Sequence, residues 1–177
     1  LREIARAMEP GADLTVQDLR LESETARTAL LAWERNDAAL PDLRPVHELI
    51  ESWAVGRPKA RAIIFGEETL SYSELNARSN RLARHLIALG VRPDVLVGVL
   101  MERSVEMVVS LLAIMKAGGA YMPIDPEYPA ERVAFMLKDS QVSLVLTQSQ
   151  RSLPEAVQGL AVDTLERSAE TDANPGV

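Results

Sequence analysis

The sequence predicts an α/β domain whose largely parallel sheet is flanked by helices. Residues 95–101 (VLVGVLM) and 142–147 (VSLVLT) are apolar almost throughout, which is typical of strands buried on both faces of a parallel sheet. Segments with the 3.6-residue periodicity of helices separate the strand candidates. Over residues 61–147 the elements follow the order β-β-α-β-α-β-α-β, and this alternation indicates helical crossovers between parallel strands.

Composition limits the classes of function. The chain has 177 residues, of which 47% are hydrophobic and 25% are charged, enough for one domain with a core. Its 26 acidic and 19 basic residues give a net charge of −7, and we expect no nucleic-acid partner because phosphate binding needs a basic surface. The best candidate for a membrane span, residues 105–115, is flanked by Arg103 and Lys116 and is too short to cross a bilayer, so we expect no membrane partner.

Residue types that form many metal and redox sites are scarce. The sequence has no cysteine, which excludes disulfides, thiol catalysis and cysteine-bound metals. Its two histidines, His47 and His85, lie far apart in sequence, and we expect no metal site. The chain starts at Leu1 with a helical pattern and no signal-peptide pattern, so we expect a piece of a longer cytoplasmic protein.

The N-terminal part is expected to be a helical stub followed by a linker. Residues 1–9 have helical periodicity, and residues 13–21 alternate as a short extended stretch. Residues 23–33 indicate a helix with Ser23 as its N-cap. Residues 34–45 are polar and marked by prolines, as linkers are.

The globular pattern begins at residue 46. Residues 46–58 indicate an amphipathic helix. Residues 61–65 and 69–71 indicate two strands that a hairpin loop at 66–68 joins.

The best-marked helix follows this hairpin. Ser71 and Glu74 have the spacing of a capping box, in which each side chain satisfies a free backbone N–H of the first turn. Gly90 is expected to end the helix in the left-handed conformation that glycine adopts easily. The arginines of this helix are interpreted as a solvated face, with a carrier-protein or helper-protein contact as the alternative; they are Arg78, Arg81 and Arg84.

Two adjacent glycines, Gly118 and Gly119, could cradle a phosphate or stop a helix. They follow a helix predicted for residues 105–117, capped by Ser104, and precede a strand at 120–124. The partial charge at a helix C-terminus is negative and repels phosphate, whereas a phosphate cradle needs a helix N-terminus. We therefore predict that Gly118 stops the helix and that Gly119 lets the chain pass close to a neighbour.

The remaining elements complete the α/β pattern. Residues 129–140 indicate a helix with Pro129 in its first turn, and residues 160–166 are a candidate for one more short strand. Tyr72 is interpreted as a packing residue, Glu102 and Arg103 as a solvated pair or cap partner at a strand end, and Asp125 as a turn-initiating residue.

Two long segments resemble core motifs of the adenylation domains of nonribosomal peptide synthetases. LSYSELNARSNRLARHLIALGV (70–91) resembles the first motif with the helix after it, and MKAGGAYMPIDPEYPAERVAFMLKDS (115–140) resembles the second. The intervening VGVLMERSVEMVVSLLAIMKAG (97–118) is also similar. The motif residues here are Leu70, Ser71, Tyr72, Glu74, Leu75, Lys116, Ala117, Gly118, Gly119, Ala120, Tyr121, Pro123 and Asp125.

The resemblance extends upstream and divides the chain. LLAWERNDAALPDLRPVHELIESWA (30–54) is similar to the connector between a condensation and an adenylation domain, although it is two residues longer between Trp33 and Asn36. The resemblance implies the end of a condensation domain at 1–21, a linker at 22–45 and the N-terminal part of an adenylation domain at 46–177. The fold implied is part of the large subdomain of adenylate-forming enzymes.

The resemblance implies a parent that activates an amino acid with Mg·ATP and loads it onto a carrier-protein phosphopantetheine thiol. The family's phosphate loop, ribose-binding aspartate and catalytic lysine have no match in residues 1–177, and the phosphate loop is expected shortly after Val177. We therefore assign no catalytic, cofactor-binding or metal-binding residue to this chain. The implied partners are the rest of the adenylation domain, the preceding condensation domain, the downstream carrier protein and, as a further candidate, an MbtH-like helper protein.

Two alternatives remain at this point. The chain could belong to another adenylate-forming acyl ligase, such as an acyl-CoA synthetase, although the upstream connector and the KAGGAYMPID wording disfavour this. It could also be a non-catalytic half-domain that docks onto a partner.

Overall fold

The computed structural model of the protein describes Ala5 and residues 23–34, 43–148, 153–165 and 173–175. The chain separates into two compact units, Leu1–Leu43 and Arg44–Val177. In the first unit, helix α1 spans Glu24–Glu34, and the Ala26 N–H donates to Ser23 Oγ at 3.1 Å, which confirms the predicted N-cap. The predictions for residues 1–9, 13–21 and most of 34–45 lie outside the described residues.

The second unit contains a four-stranded sheet made of β3 (Leu96–Leu100), β4 (Ala120–Ile124), β5 (Leu144–Thr147) and β6 (Gln158–Ala161). All neighbouring strands are parallel, and their order is β4-β3-β5-β6. This confirms the predicted parallel sheet. The last strand begins two residues earlier than the 160–166 candidate and stops at Ala161, because its backbone pairs with β5 from Leu144 to Thr147.

Helices cover both faces of this sheet. Val97 and Val99 of β3 face a core shared with two helices, whereas Leu100 faces a second core that contains Val133 and Leu137 of another helix. The apolar strands are therefore buried on both sides, as predicted. The helices are α3 (Tyr72–Ala88) and α4 (Val105–Lys116) on one face and α5 (Ala130–Asp139) on the other. Within the described ranges, no helix is long and apolar enough to cross a bilayer.

The predicted hairpin is confirmed, and it is separate from the parallel sheet. Strands β1 (Arg61–Phe65) and β2 (Glu68–Ser71) form their own antiparallel pair. Strand β2 leads directly into α3, so the hairpin packs on the core beside that helix, with Leu70 buried. Helix α2 (Val46–Gly56) precedes the hairpin.

Strand β4 lies at one end of the described sheet. The Ala120 N–H donates to the Val95 carbonyl at 2.9 Å, so the N–H groups of residues 120, 122 and 124 point toward β3. The backbone nitrogen of residue 123 therefore points away from β3. This residue is Pro123, which has no N–H to donate. Proline is tolerated here because its missing donor lies on the unpaired edge.

The predicted capping box at the start of α3 is confirmed. Ser71 Oγ accepts a hydrogen bond from the Glu74 N–H at 3.3 Å, and the Glu74 carboxylate accepts from the Ser71 N–H at 2.8 Å and from its hydroxyl at 2.7 Å. The hydroxyl and then the backbone N–H of Ser71 hold the pKa of the Glu74 carboxyl below its ordinary value. In contrast, Pro129 occupies the N-cap of α5, one position before the predicted first turn, because its ψ of 142° is extended.

Three successive helices end in the same hydrogen-bonding pattern, the Schellman motif. At the end of α4, the N–H groups of Gly118 and Gly119 donate to the carbonyls of Met115 and Ile114 at 3.1 and 3.0 Å. Gly118 has φ 79°, which confirms the predicted helix stop, and Gly90 of α3 has φ 92°. The third helix, α5, uses Gln141 at φ 56°, although a side chain makes that conformation unfavourable.

We expect Ser71→Ala to lower the free energy of unfolding by about 1 kcal/mol, because it removes the side-chain half of the capping box. Urea denaturation followed by circular dichroism measures this change. An unchanged free energy of unfolding would contradict the role of the cap.

The Schellman ends generate opposite expectations for two positions. Gly118→Val should lower the free energy of unfolding by about 1 kcal/mol or more, because the left-handed conformation penalises a side chain. Gln141→Gly should instead raise it by up to about 1 kcal/mol, since the same strain is relieved there and only part of the gain is lost to chain entropy. Urea denaturation measures both changes as shifts of the transition midpoint, provided that the urea dependence of the unfolding free energy stays constant. A destabilised Gln141→Gly variant would refute the strain argument.

Candidate functional site

The two motif segments meet where the end of α4 lies against the start of α3. Lys116 is the last residue of α4, and its Nζ donates to the Asn76 Oδ1 at 2.9 Å and forms an ion pair with Glu51 of α2. One ammonium group thus joins three helices.

The positive charge of Lys116 is buried, which is unusual for a lysine. Its side chain has no exposed surface, whereas the Glu51 side chain keeps 20% of its surface exposed. Burial lowers the pKa of the Lys116 ammonium, and the hydrogen bond and charge of Glu51 oppose that change. The pair is therefore asymmetric: the carboxylate can reach water, and the ammonium depends on its protein partners.

A cavity of about 590 Å³ lies beside this ion pair. Residues of α2 form much of its wall, and two lining residues are joined by a hydrogen bond from Arg44 Nη1 to Ser52 Oγ at 2.7 Å. Both signs of charge line the cavity, so it does not present the uniformly positive surface that a polyphosphate requires. The lining residues are Arg44, His47, Glu48, Glu51, Ser52, Val55, Gly56, Lys116, Asn174 and Pro175.

Other motif residues pack or form turns. The Tyr72 ring stacks on Trp53 with 5.6 Å between centroids, in line with its interpretation as a packing residue. Asp125 Oδ1 accepts from the Glu127 N–H at 2.9 Å, which is an Asx-turn contact and agrees with a turn-initiating aspartate. Leu75 and Ala117 are both buried in the larger core, whereas Tyr121 on β4 is 44% exposed.

The carboxyl end of β3 is where ligands bind in many parallel sheets. Here the Glu102 N–H donates to the Gln148 Oε1 at 3.0 Å, and Ser104 Oγ caps α4 by accepting from the Met107 N–H at 3.1 Å. Glu102 and Glu106 place two carboxylates near this helix N-terminus, which disfavours a phosphate. No cluster of three or more metal-ligating side chains occurs among the described residues.

The polar face of α3 contacts the described C-terminal segment. The amide nitrogens of Asn76 and Asn80 donate to the Asn174 Oδ1 at 3.0 and 2.8 Å. Arg84 Nη2 donates to the Ala173 carbonyl at 2.8 Å and to the Asn174 carbonyl at 3.3 Å. The interpretation of this arginine face as merely solvated is wrong for Arg84, because its guanidinium binds backbone that lies 89 residues away in sequence.

Sequence reasoning missed Glu51, Asn76 and Asn174. A usable signal existed for the first: Lys116 ends a helix that is apolar nearly all round, and a lysine in such a place requires an acidic partner. The sequence offers many acids, however, and only the packing of α2 against α3 and α4 selects Glu51.

Comparison with known proteins agrees with the family resemblance of the two motif segments. The family model described as AMP-binding enzyme matches residues 50–175. The chain is 46% identical over 133 residues to bacitracin synthase 3 of Bacillus licheniformis and 42% identical over 166 residues to tyrocidine synthase 3 of Brevibacillus parabrevis. These matches cover 75% and 94% of the chain, which spans only 2% of the length of each of those relatives.

Solved structures support the same fold. A crystal structure of a variant of the nonribosomal peptide synthetase FmoA3, in its AMPPNP-bound form, superposes with a TM-score of 0.75 at 34% identity. The match covers 98% of this chain and 19% of that one.

The asymmetry of the ion pair predicts unequal costs for its two halves. Glu51→Gln should lower the free energy of unfolding by about 3 kcal/mol at neutral pH, because it leaves a buried ammonium without its counter-charge. Lys116→Met should cost less, since the Glu51 carboxylate retains access to water. Urea denaturation of both variants beside the unsubstituted protein measures the difference, and equal costs would contradict the asymmetry.

The same pair has a defined pH dependence. Because the folded-state pKa of Lys116 is lowered, the unfolded chain binds more protons between that pKa and the unfolded value, and stability rises with pH in this alkaline window. Glu51→Gln removes the opposing effect of the carboxylate, so its cost relative to the unsubstituted protein should shrink as pH rises through the window. Lys116→Met is the control without this titration, and a pH-independent cost of Glu51→Gln would contradict the assignment.

Proposed function

This chain belongs to the AMP-binding enzyme family, and we propose that its parent is a nonribosomal peptide synthetase that activates an amino acid as its adenylate. The observation that carries the proposal is the continuous match of residues 50–175, which contain both motif segments in one folded unit. The relatives named above are synthases of peptide products.

In the proposed reaction, the amino-acid carboxylate attacks the α-phosphate of ATP, releases pyrophosphate and forms aminoacyl-AMP. A phosphopantetheine thiol on a carrier domain then accepts the acyl group. ATP and Mg²⁺ are the cofactors of this proposal, and residues of the parent beyond those described here would bind them. The chain's own contribution is a scaffold, since its motif residues cap helices, stack and form turns.

The proposal keeps the domain assignment made from sequence. Residues 1–21 would end a condensation domain, 22–45 would be the linker, and 46–177 would begin the adenylation domain. The remainder of that domain, the condensation domain, a carrier protein and an MbtH-like helper are the partners of this assignment. The cytoplasm, which supplies ATP and amino acids, is its compartment.

Two other functions remain as outcomes of a test. A parent that is a different acyl ligase would catalyse exchange with a carboxylic acid other than an amino acid, and a non-catalytic module would catalyse none. The identities of 46% and 42% to proteins that make peptides favour the amino-acid-activating parent.

We expect the 177-residue chain to show no saturable binding of Mg·ATP, because the described residues place carboxylates and not a phosphate cradle at the α4 N-terminus. A version extended through the complete adenylation domain should bind Mg·ATP and catalyse amino-acid-dependent ATP–pyrophosphate exchange. Titration calorimetry on both proteins, with exchange assays over a panel of amino acids, makes the comparison.

Each of the two experiments has an outcome that would contradict the expectation. Micromolar, saturable ATP binding by the 177-residue chain would show a nucleotide site that the geometry does not contain. Absence of exchange with every amino acid in the extended protein would overturn the proposed activity.

A further inference from the structure

A continuous series of hydrogen bonds runs through the second unit from its first helix to its described C-terminal segment. Glu51 of α2 pairs with Lys116 of α4, and Lys116 donates to the Oδ1 of Asn76 on α3. The Nδ2 of the same Asn76 amide donates to the side chain of Asn174. Side-chain contacts thus link four segments that are distant in sequence: α2, α3, α4 and the segment at residues 173–175.

The amide of Asn76 is held in one orientation by this arrangement. Its oxygen accepts from a fully buried ammonium, and its nitrogen therefore points toward Asn174. Asn80, which has 0% exposure, donates to the same Asn174 oxygen, so one acceptor receives two fixed donors. A buried amide that lost this acceptor would keep an unsatisfied N–H, which is costly.

The sequence restricts the backbone conformation at Asn174. Pro175 follows it, and the residue before a proline is biased toward extended conformations. Arg84 holds the carbonyls of residues 173 and 174, so both backbone and side chain of this segment are bound to one face of α3.

We propose that Asn76, Asn80 and Arg84 are positioning residues that fix the chain at residues 173–174, and that the Lys116–Glu51 pair fixes the orientation of Asn76. This inference rests on the proposed function, in which the segment that follows would carry the phosphate loop of the adenylation reaction. The series of bonds then sets where that loop begins relative to the parallel sheet.

Substitutions at Asn174 test the proposal in the complete adenylation domain. Asn174→Ala removes the acceptor of two amide donors, whereas Asn174→Asp keeps an oxygen acceptor in the same place. Asn174→Ala should raise the KM for ATP by about 5- to 30-fold, the effect of losing one or two hydrogen bonds, with a smaller change in kcat. Asn174→Asp should bring KM back to within about threefold of the unsubstituted value.

A second readout does not depend on catalysis. Amide hydrogen exchange of the peptide that follows residue 174 should be faster in Asn174→Ala and restored in Asn174→Asp. Asn76→Asp gives a check from the other side, because it keeps the acceptor for Lys116 but loses the donor to Asn174. It should speed exchange in the same peptide.

The outcomes separate this inference from the proposed function. If the complete domain shows no ATP–pyrophosphate exchange, the proposed function fails. Amide hydrogen exchange alone then decides whether Asn76, Asn80 and Arg84 anchor the chain at residues 173–174. Equal protection in Asn174→Ala, Asn174→Asp and the unsubstituted domain would overturn the anchor. Faster amide exchange in Asn174→Ala with an unchanged KM for ATP would overturn its positioning role.

Discussion

A buried positive charge needs a partner, and the arrangement of the helices on one face of the sheet depends on this requirement. Lys116 has no exposed side-chain surface, so α2 must bring Glu51 to it and α3 must bring Asn76. Helix α2 has no fully buried residue, although its Ile50 packs against the larger core. The ion pair and the stacking of Trp53 on Tyr72 add polar and aromatic contacts that hold this helix against α3 and α4.

Local signals made much of the fold predictable from sequence. The apolar strands β3 and β5, the capping box at Ser71 and the helix stop at Gly118 each depend on residues within a few positions of one another. The partners of Lys116 and Asn76 lie 65 and 98 residues away, and no spacing rule selects them. The hairpin was also predictable, because its two strands are adjacent in sequence, whereas the sequence alone does not state that it forms its own two-stranded sheet.

The residues that carry the family resemblance have mechanical roles in this part of the chain. Ser71 and Glu74 begin a helix, Gly118 ends one, and Lys116 ties helices together. These four residues lie at helix ends, away from the carboxyl end of β3 where Glu102 and Gln148 meet. A motif can thus be specific for an enzyme family and still have residues that position helices.

The proline on strand β4 has a consequence for the chain while it is being made. A ribosome completes residues 120–124 before any later segment could cover that side of the sheet, and an unpaired strand edge is a template for aggregation. Pro123 removes a donor from the outward side of the strand, where a neighbouring nascent chain would pair. The same residue that is tolerated in the finished sheet therefore leaves the outward edge of β4 with one donor fewer for pairing with another copy of the chain.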